Sequence, residues 1–548
     1  MTLLKSTYDF VVVGGGSAGS IVAAELAKRT PYSVLLVEAG PAANQNPDTL
    51  SADGFKYCFA NDEIMHDRFS EKQAGLNGRR AYQGTGWTMG GSGSVNGMVY
   101  TPGDQSDFDS WPKGWQWPDV APYFANLAEK IKPKPRAPSV FTQAVIDAAT
   151  QIGFATKDKM TDGKLNGFIG HNAMNYHQDK RNSSYAVFLH NQHLSNLDIV
   201  NHALVHRLLI HNAEVVGVDV EIDGKHQEVK VAKEVILTAG ALETPKLLML
   251  SGVGPAAVLA EFGISEKLNA PEIGQNLQDH PNVCLFYRGK QKIDFGYPQL
   301  YGFDRVNTKT PLAANKPDTC FAFFAAPITL KQSMYRMLPT MMLPQSVYRF
   351  TFLRKIIRRL VDFLFVIPGV NRFVDAIYGI VVILGKPASR GFLTLASGDA
   401  RDQAIINPAY YQHPNDLLTM ISGIKKAQQL AQQQSIKSWG AMPLSRGAKT
   451  QSFAQLKKWI ADATMTTFHF CGTCSMGEGD HNPVDTELKL KGIRGLRVAD
   501  ASVMPEIPVS ALNAPSMMIA LRAADFIIKD HMSSNKTNNN KTEMDKVT

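Results

Sequence analysis

Two side chains near the C-terminal end of the chain could together carry out acid–base chemistry. His469 begins the run His-Phe-Cys-Gly-Thr-Cys, and Asn513 precedes Ala514 and Pro515. An imidazole accepts a proton near neutral pH, and an amide can orient a hydroxyl group or hold a developing alkoxide by hydrogen bonding. Taken alone, such a histidine is more often a buried structural side chain, so its interpretation depends on the elements that would position it.

The N-terminal stretch predicts a dinucleotide-binding unit. Residues 8–13 are aromatic and β-branched, as in a buried strand, and residues 20–29 are helical in character. Between them lies a glycine-rich turn made of Gly14, Gly15, Gly16, Ser17, Ala18 and Gly19. Gly14 allows the tight turn, Gly16 lets the backbone approach a pyrophosphate, and Gly19 permits close packing of helix against strand. The helix N-terminus then offers free N–H groups to the phosphates.

An acidic residue stands at the end of the next predicted strand. Residues 33–37 form that strand, and Glu38 follows it. A carboxylate at this point can accept ribose hydroxyls and disfavours NADP. This pattern alone leaves open NAD, FAD or a glycine-rich turn that binds nothing.

Further motifs point to one family. They are the segments 90–98, 239–245, 273–281, 469–477, 497–502 and 513–515. With the N-terminal stretch, they resemble the glucose–methanol–choline (GMC) oxidoreductases, which are FAD-dependent enzymes that oxidise alcohols. The resemblance runs from about residue 8 to residue 525, nearly the whole chain.

The resemblance implies a set of FAD-binding residues. They are Gly14, Gly16, Ser17, Ala18, Gly19, Glu38, Gly90, Gly91, Ser94, Val95, Asn96, Gly97, Val205, Asp500, Ala501 and Pro515. The loop from Gly90 would pass the pyrophosphate and reach the flavin, and the backbone of Val205 would hold the adenine. Some relatives carry a histidine at the position of Val95 that attaches covalently to the flavin, so non-covalent FAD is expected here.

The resemblance also implies the reaction. His469 corresponds to the family's catalytic base and Asn513 to its partner, so an alcohol would lose its hydroxyl proton to His469 and a hydride to flavin N5. An apolar alcohol is the expected substrate, and a quinone or a redox protein is the expected electron acceptor. An oxygen-using oxidase and a non-redox flavin lyase or decarboxylase are the alternatives.

The spacing of the motifs predicts two interleaved domains. The expected fold class is α/β, with a Rossmann-like FAD-binding domain from 1–110, 195–290 and 465–530. The segments 111–194 and 291–464 would form an α+β substrate domain, in which helices cover a mixed sheet. Residues 533–548 are rich in Asn, Lys, Ser and Thr and predict a disordered tail.

Composition argues against several other classes of protein and of binding site. The net charge is a moderate +8, and no nucleic-acid-binding module accompanies the basic residues, so no nucleic-acid partner is expected. The five cysteines include one CxxC, Cys471 and Cys474, without a second pair at metal-ligand spacing, so no metal site is expected. The N-terminus lacks the pattern of a secretory signal, which predicts a cytoplasmic protein.

One segment predicts a membrane contact. Within 346–367, apolar residues recur at helical spacing, and Arg354, Lys355, Arg358 and Arg359 lie largely on the other side. The segment is too short and too charged to span a bilayer. It is expected either to lie on the inner face of a membrane, with its arginines towards the headgroups, or to pack on its own sheet with its charges in solvent.

Overall fold

The computed structural model describes the backbone of residues 4–544; the side chains of 328 and 533–544 lie outside the description. The helices are α1 (Ser17–Arg29), α2 (Phe55–Cys58), α3 (Trp117–Ile131), α4 (Val140–Gln151), α5 (Ser184–Phe188), α6 (Thr244–Leu250), α7 (Ala256–Glu261), α8 (Ala326–Met342), α9 (Gln345–Tyr348), α10 (Thr351–Val366), α11 (Val370–Val374), α12 (Pro414–Ala431), α13 (Gln434–Trp439), α14 (Phe453–Ala463) and α15 (Asn513–Met544). Among the described residues, no helix combines the length and the apolar character needed to cross a bilayer.

The strands are β1 (Thr7–Val13), β2 (Val34–Val37), β3 (Met65–His66), β4 (Thr85–Gly86), β5 (Val99–Tyr100), β6 (Ala155–Thr156), β7 (Phe168–His171), β8 (Ala173–Met174), β9 (Tyr176–His177), β10 (Lys180–Arg181), β11 (Leu197–Val200), β12 (Ala203–His211), β13 (Glu214–Ile222), β14 (Lys225–Leu237), β15 (Val253–Gly254), β16 (Leu268–Asn269), β17 (Pro281–Arg288), β18 (Leu300–Asp304), β19 (Thr319–Ala325), β20 (Ile377–Leu384), β21 (Phe392–Thr394), β22 (Ile405–Asn407), β23 (Met442–Pro443), β24 (Met465–Thr466) and β25 (Leu496–Val498). Most of them belong to two large sheets.

The first sheet is a doubly wound parallel sheet with a hairpin extension. Its order is β11-β2-β1-β14-β13-β12, and β25 also pairs with β14. The long strand β14 pairs with β1 along one edge; along the other, its first half pairs with β13 and its last residues pair with β25. The strands β11, β2, β1, β14 and β25 run parallel, so their carboxyl ends meet at one edge, where such sheets bind their ligands.

The second sheet is mixed, with the order β23-β17-β20-β19-β18-β7-β6, and β24 pairs with β17. Only β6 and β7 are parallel. One face packs against α4, α12, α13 and α14 through side chains such as Phe321, Ile380 and Val382. The predicted fold class is confirmed: a Rossmann-like domain is interleaved with a sheet covered by helices.

The structure corrects parts of the predicted domain division. The segment 195–290 includes β17, and 465–530 begins with β24, yet both strands lie in the second sheet. Conversely, α3 and α5 lie in 111–194 but add Phe124 and Phe188 to the core of the first domain. Local pattern cannot reveal which sheet a strand joins, because pairing is a long-range interaction. The predicted disordered tail 533–548 is corrected over 533–544, where the backbone continues helix α15, and 545–548 lie outside the described residues.

Helices α8 to α11, residues 326–374, form a group that we call the helical cap, inserted between β19 and β20. The predicted arrangement of α10, with its four basic residues on one solvent-facing or headgroup-facing side, is wrong. Arg354 and Arg358 point inward to the carboxylates of Asp62 and Asp67. These carboxylates come from a loop far away in sequence and outweigh the local pattern, because a partly buried charge needs a partner.

Candidate active site

One cavity of about 650 Å³ connects the carboxyl edge of the first sheet with both candidate catalytic residues. Its wall includes His469 and Asn513. Most of the predicted FAD-binding residues also lie on it: Gly14, Gly16, Ser17, Ala18, Glu38, Gly91, Val95, Asn96, Gly97, Val205, Asp500 and Ala501. Residues that are hundreds of positions apart in the chain therefore share one cavity.

The glycine-rich turn has the geometry predicted for it. Gly14 has a φ of 102°, which favours glycine. A Cβ on Gly19 would lie 1.9 Å from the carbonyl oxygen of Gly14, so the close packing of α1 on β1 requires glycine there. Gly16 is the N-cap residue of α1 and makes no side-chain hydrogen bond to the helix, and the first turn of α1 contains no acidic residue. The N–H groups at this helix end are therefore suited to an anionic ligand.

Glu38 lies at the carboxyl end of β2 and is buried. Its carboxylate accepts hydrogen bonds from the backbone N–H groups of Gly15, at 2.7 Å, and Gly40, at 2.8 Å. Burial raises its pKa to about 7, and the two N–H groups act against that rise. The side chain is thus held rigidly on the cavity wall at the position expected for a ribose-binding acid.

The loop 90–97 brings two helix ends together. Gly93 packs so closely that a Cβ there would lie 2.5 Å from Ser17 Oγ and 3.2 Å from Asn513 Nδ2. Gly90 and Ser94 are not on the cavity wall: Gly90 has a φ of 87°, and its added Cβ would meet Ser94 Oγ. These two residues shape the loop, whereas Gly91, Val95, Asn96 and Gly97 face the cavity.

Asn513 is the first residue of α15, so Pro515 lies in the first turn of this helix. Its missing N–H is still harmless, because the first four N–H groups of a helix have no partner within it. Pro515 is absent from the cavity wall, as is Gly19. The amide nitrogen of Asn513 donates to Ser17 Oγ at 2.8 Å, which orients the side chain.

His469 follows a residue in the left-handed region, Phe468, whose φ is 62°. The backbone N–H of His469 donates to the carboxylate of Asp279 at 2.9 Å. Burial lowers the pKa of His469 to about 4, so the imidazole is neutral at pH 7. A neutral imidazole has one unprotonated nitrogen, and the neighbouring groups determine which one it is.

His280 selects the tautomer of His469. His280 Nε2 lies 3.0 Å from the carbonyl oxygen of Gly385, which can only accept, so this nitrogen carries the proton. Burial, together with repulsion from Lys386 and from His469 whenever it is protonated, holds the pKa of His280 well below its usual value, so its Nδ1 is a lone-pair acceptor. His469 Nδ1 lies 2.9 Å from that atom and must donate to it. His469 Nε2 is therefore left as the free base.

Replacing His280 with phenylalanine should lower the rate constant of alcohol oxidation about 100-fold, because His469 loses the acceptor that selects its tautomer. Asparagine at 280 keeps an acceptor at the δ position and should recover part of the rate. Single-turnover flavin reduction measures both. A merely structural role for His280 would instead change protein stability, and the two variants would then have equal rates per bound flavin.

The second sheet covers the cavity with an apolar surface. Alternate residues of its strands face the cavity: Tyr301, Ala322, Phe324, Val381 and Ile383. Phe468 and Phe470 flank His469 on the same wall. This end of the cavity is suited to an apolar ligand.

The three carboxylates on the wall already have partners. Glu38 binds backbone N–H groups, as described above. Glu243 pairs with Arg68 at 2.7 Å and with Lys246 at 2.6 Å. Asp500 accepts hydrogen bonds from the N–H of Gly240 and the hydroxyl of Thr244. The wall thus offers no unpaired acid to a cationic ligand.

A group of potential metal ligands lies on the hairpin strands, where none was expected. His206, Glu221 and His226 place ligand-type atoms within 4.8 Å of one another. Glu221 also pairs with the guanidinium of Arg401 at 2.6 Å, and His226 contacts Asp219 at 2.9 Å. The guanidinium of Arg401 would repel a metal ion bound to the carboxylate of Glu221. We therefore interpret this group as a cluster of ion pairs.

His280 is a functional residue that the sequence motifs did not indicate. It lies behind the candidate base His469 and contacts it directly. Its position beside Pro281 gave no signal of this contact. The contact arises because 276–278 and 471–472 run beside each other, with Gln278 and Cys471 hydrogen-bonded in both directions.

Known proteins are similar to this chain over nearly its whole length. Two family profiles, both described as GMC oxidoreductase, match residues 8–282 and 387–520. An oxygen-dependent choline dehydrogenase from Photobacterium profundum is 30% identical over 563 residues, which cover 96% of this chain and 94% of that protein.

Solved structures show the same fold. A pyridoxine 4-oxidase from Mesorbium loti superposes with a TM-score of 0.81 at 26% identity, covering 94% of this chain and 98% of that one. A variant of the formate oxidase of Aspergillus oryzae RIB40 has a TM-score of 0.81 at 25% identity, covering 97% of this chain and 100% of that one. By both sequence profile and fold, the chain belongs to the GMC oxidoreductase family.

Proposed function

We propose that this protein binds FAD without a covalent link and oxidises the CH–OH group of an apolar alcohol to an aldehyde or ketone, passing the electrons to a quinone or a redox protein. The observation that supports the proposal is the shared cavity, whose wall contains a neutral histidine, an oriented amide and the dinucleotide-binding turn.

The cavity fits FAD at the nucleotide end. The uncapped start of α1 and the open side of Gly16 suit the pyrophosphate, since an added Cβ on Gly16 would meet nothing closer than 3.9 Å. Glu38 and Val205 lie where the ribose and adenine would be held, and Asp500 and Ala501 lie at the end of β25. When bound, FAD supplies an acceptor for two electrons and the carbinol hydrogen.

Side chains of this protein would accept the proton of the substrate hydroxyl and orient its oxygen. His469 Nε2 accepts it, while the hydrogen bond from His469 Nδ1 to His280 stabilises the imidazolium that forms. Asn513 orients the substrate oxygen, because Ser17 fixes the amide nitrogen and leaves the amide oxygen and the second amide hydrogen for other partners. The N-terminus of α15 adds a partial positive charge on the same wall.

The wall favours an apolar substrate over a cationic one. Apart from Asn282 and Thr466, its sheet-facing end is made of aromatic and aliphatic side chains, and its three carboxylates are paired. A choline-like ammonium would therefore meet no unpaired negative charge. The choline dehydrogenase relative supports the reaction class, and the paired carboxylates on this wall support an alcohol other than choline.

The decisive experiment is anaerobic titration of the purified flavoprotein with aliphatic, aromatic, sterol and amino alcohols. An apolar alcohol should bleach the oxidised flavin, and amino alcohols should not. Flavin that stays oxidised with every alcohol would contradict the proposal and favour a lyase or decarboxylase. Acid precipitation should release the flavin into the supernatant if it is held without a covalent link.

Turnover assays identify the electron acceptor. A water-soluble quinone should be reduced faster than hydrogen peroxide is formed in air. Three of the compared proteins are described as oxygen-dependent or as oxidases. Peroxide formed in step with product would therefore favour the oxidase alternative for this chain.

A further inference from the structure

The outward face of the helical cap is apolar. Along α10, the side chains of Phe352, Ile356, Leu360, Phe363 and Val366 recur at helical spacing and are 50–78% exposed. Met341, at the end of α8, is 73% exposed. Single exposed apolar residues are common, but a continuous stripe of this kind on a soluble surface marks an interaction site.

The same face is positively charged. Lys355 and Arg359 alternate with the apolar side chains of α10, and Arg349 and Arg372 flank the helix; all four are exposed. Between residues 341 and 373, the only carboxylate is Asp362, which pairs with Lys331 at 2.7 Å. The face therefore combines protruding apolar side chains with cations that no neighbouring acid of that segment balances.

The inward face anchors the cap to the rest of the protein. Arg358 binds the two oxygens of Asp62 at 2.7 and 3.0 Å, and Arg354 lies 3.2 Å from Asp62 and 3.2 Å from Asp67. Arg336 of α8 is fully buried and contacts both carboxylates. These bonds hold α8 and α10 in place, so the apolar stripe is a fixed surface rather than an uncollapsed core.

We infer that the outward face of the helical cap docks on the surface of an anionic bilayer. Apolar side chains would enter the acyl boundary, and Lys355, Arg359 and their flanking arginines would meet the headgroup phosphates. A second copy of the chain fits less well, because a twofold interface would place these cations against the same cations. The inference keeps the expected membrane contact but leaves only Lys355 and Arg359 of the four basic residues facing the lipid, because Arg354 and Arg358 point inward.

The cap also covers a second cavity beside the candidate active site. This cavity of about 210 Å³ lies under α8, which lines it with Thr329 and Ser333. Phe55, Phe59 and Phe324 line both this cavity and the main one. If the proposed function holds, docking through the cap would bring these adjoining cavities close to the lipid, so the substrate class would be alcohols that partition into membranes.

Co-sedimentation of the full-length flavoprotein with vesicles tests the docking. The wild type should bind vesicles of phosphatidylcholine with about 30% phosphatidylglycerol and bind pure phosphatidylcholine weakly. The variant F352S/I356S/F363S should lose at least about tenfold in affinity, because its apolar anchors are gone. The variant K355Q/R359Q should lose about fivefold per cation, and only on the anionic vesicles.

A matched control separates docking from general surface hydrophobicity. The variant V140S/M442S/F453S removes three apolar side chains that are 50–71% exposed outside the cap, and it should bind as the wild type does. The inference would be overturned if the wild-type protein bound neither type of vesicle. A dimer in light scattering that only F352S/I356S/F363S dissociates would also overturn it, since the face would then be a self-association surface.

The vesicle result and the proposed function can fail separately. Docking is read from sedimentation without any substrate, and alcohol oxidation is read from flavin bleaching in solution. Vesicle binding without bleaching by any alcohol would defeat the proposed function alone. Bleaching by a water-soluble apolar alcohol without vesicle binding would defeat the docking alone.

Discussion

Replacing His469 with glutamine should slow flavin reduction by an alcohol about a hundred- to ten-thousand-fold, the usual contribution of a general base. Glutamine keeps polarity and approximate size but cannot take up a proton at neutral pH. The variant should retain FAD, because the substitution leaves unchanged the glycine-rich turn and Glu38, which would hold the nucleotide. Anaerobic stopped-flow measurement of flavin reduction, normalised to bound flavin, gives the ratio of rates.

The pH dependence provides an independent check on the same residue. Because burial lowers the pKa of His469 to about 4, its base form is fully present above about pH 6. The wild-type rate should therefore stay flat from there to pH 8 and fall as the pH approaches 4, where protonation removes the lone pair. Replacing the exposed His193 with glutamine is the matched control and should change neither rate nor profile. An unchanged rate in the His469 variant would defeat the assignment of the base.

Replacing Gly19 with alanine should nearly abolish FAD binding and destabilise the first domain by about 1–3 kcal/mol. The added Cβ would lie 1.9 Å from the carbonyl oxygen of Gly14 and 2.6 Å from Thr238 Oγ1. Helix α1 would have to move away from β1 and take its N-terminal N–H groups with it, so the phosphate-binding geometry would be lost. The flavin-to-protein absorbance ratio and the urea midpoint measure the two effects.

A second glycine provides the control. An added Cβ on Gly398 would meet nothing within 4 Å, so Gly398→Ala should leave both flavin content and stability unchanged. If Gly19→Ala bound FAD as tightly as the wild type, the close packing of α1 on β1 would not be needed for the cofactor. The proposed nucleotide site would then be wrong.

The sequence alone was sufficient to predict the elements that a local pattern of residues specifies. The strand before Gly14, the helix after it and Glu38 at the next strand end were predicted within a few residues. Gly14 and Gly19 have the conformation and packing that their positions indicated. Such features depend on the φ and ψ angles and on the small size of single residues, which a motif specifies directly.

Tertiary structure determined which groups meet. His280 and His469 are 189 residues apart, and only the packing of their two segments makes one imidazole set the tautomer of the other. The orientation of α10 was also determined by distant residues. Asp62 and Asp67, nearly 300 residues earlier, form ion pairs with Arg354 and Arg358. These pairs keep the two arginines on the inward face, so the phenylalanines of α10 lie on the exposed face. Helical spacing shows which residues share a face, but the direction of that face depends on distant charges that only the fold brings near.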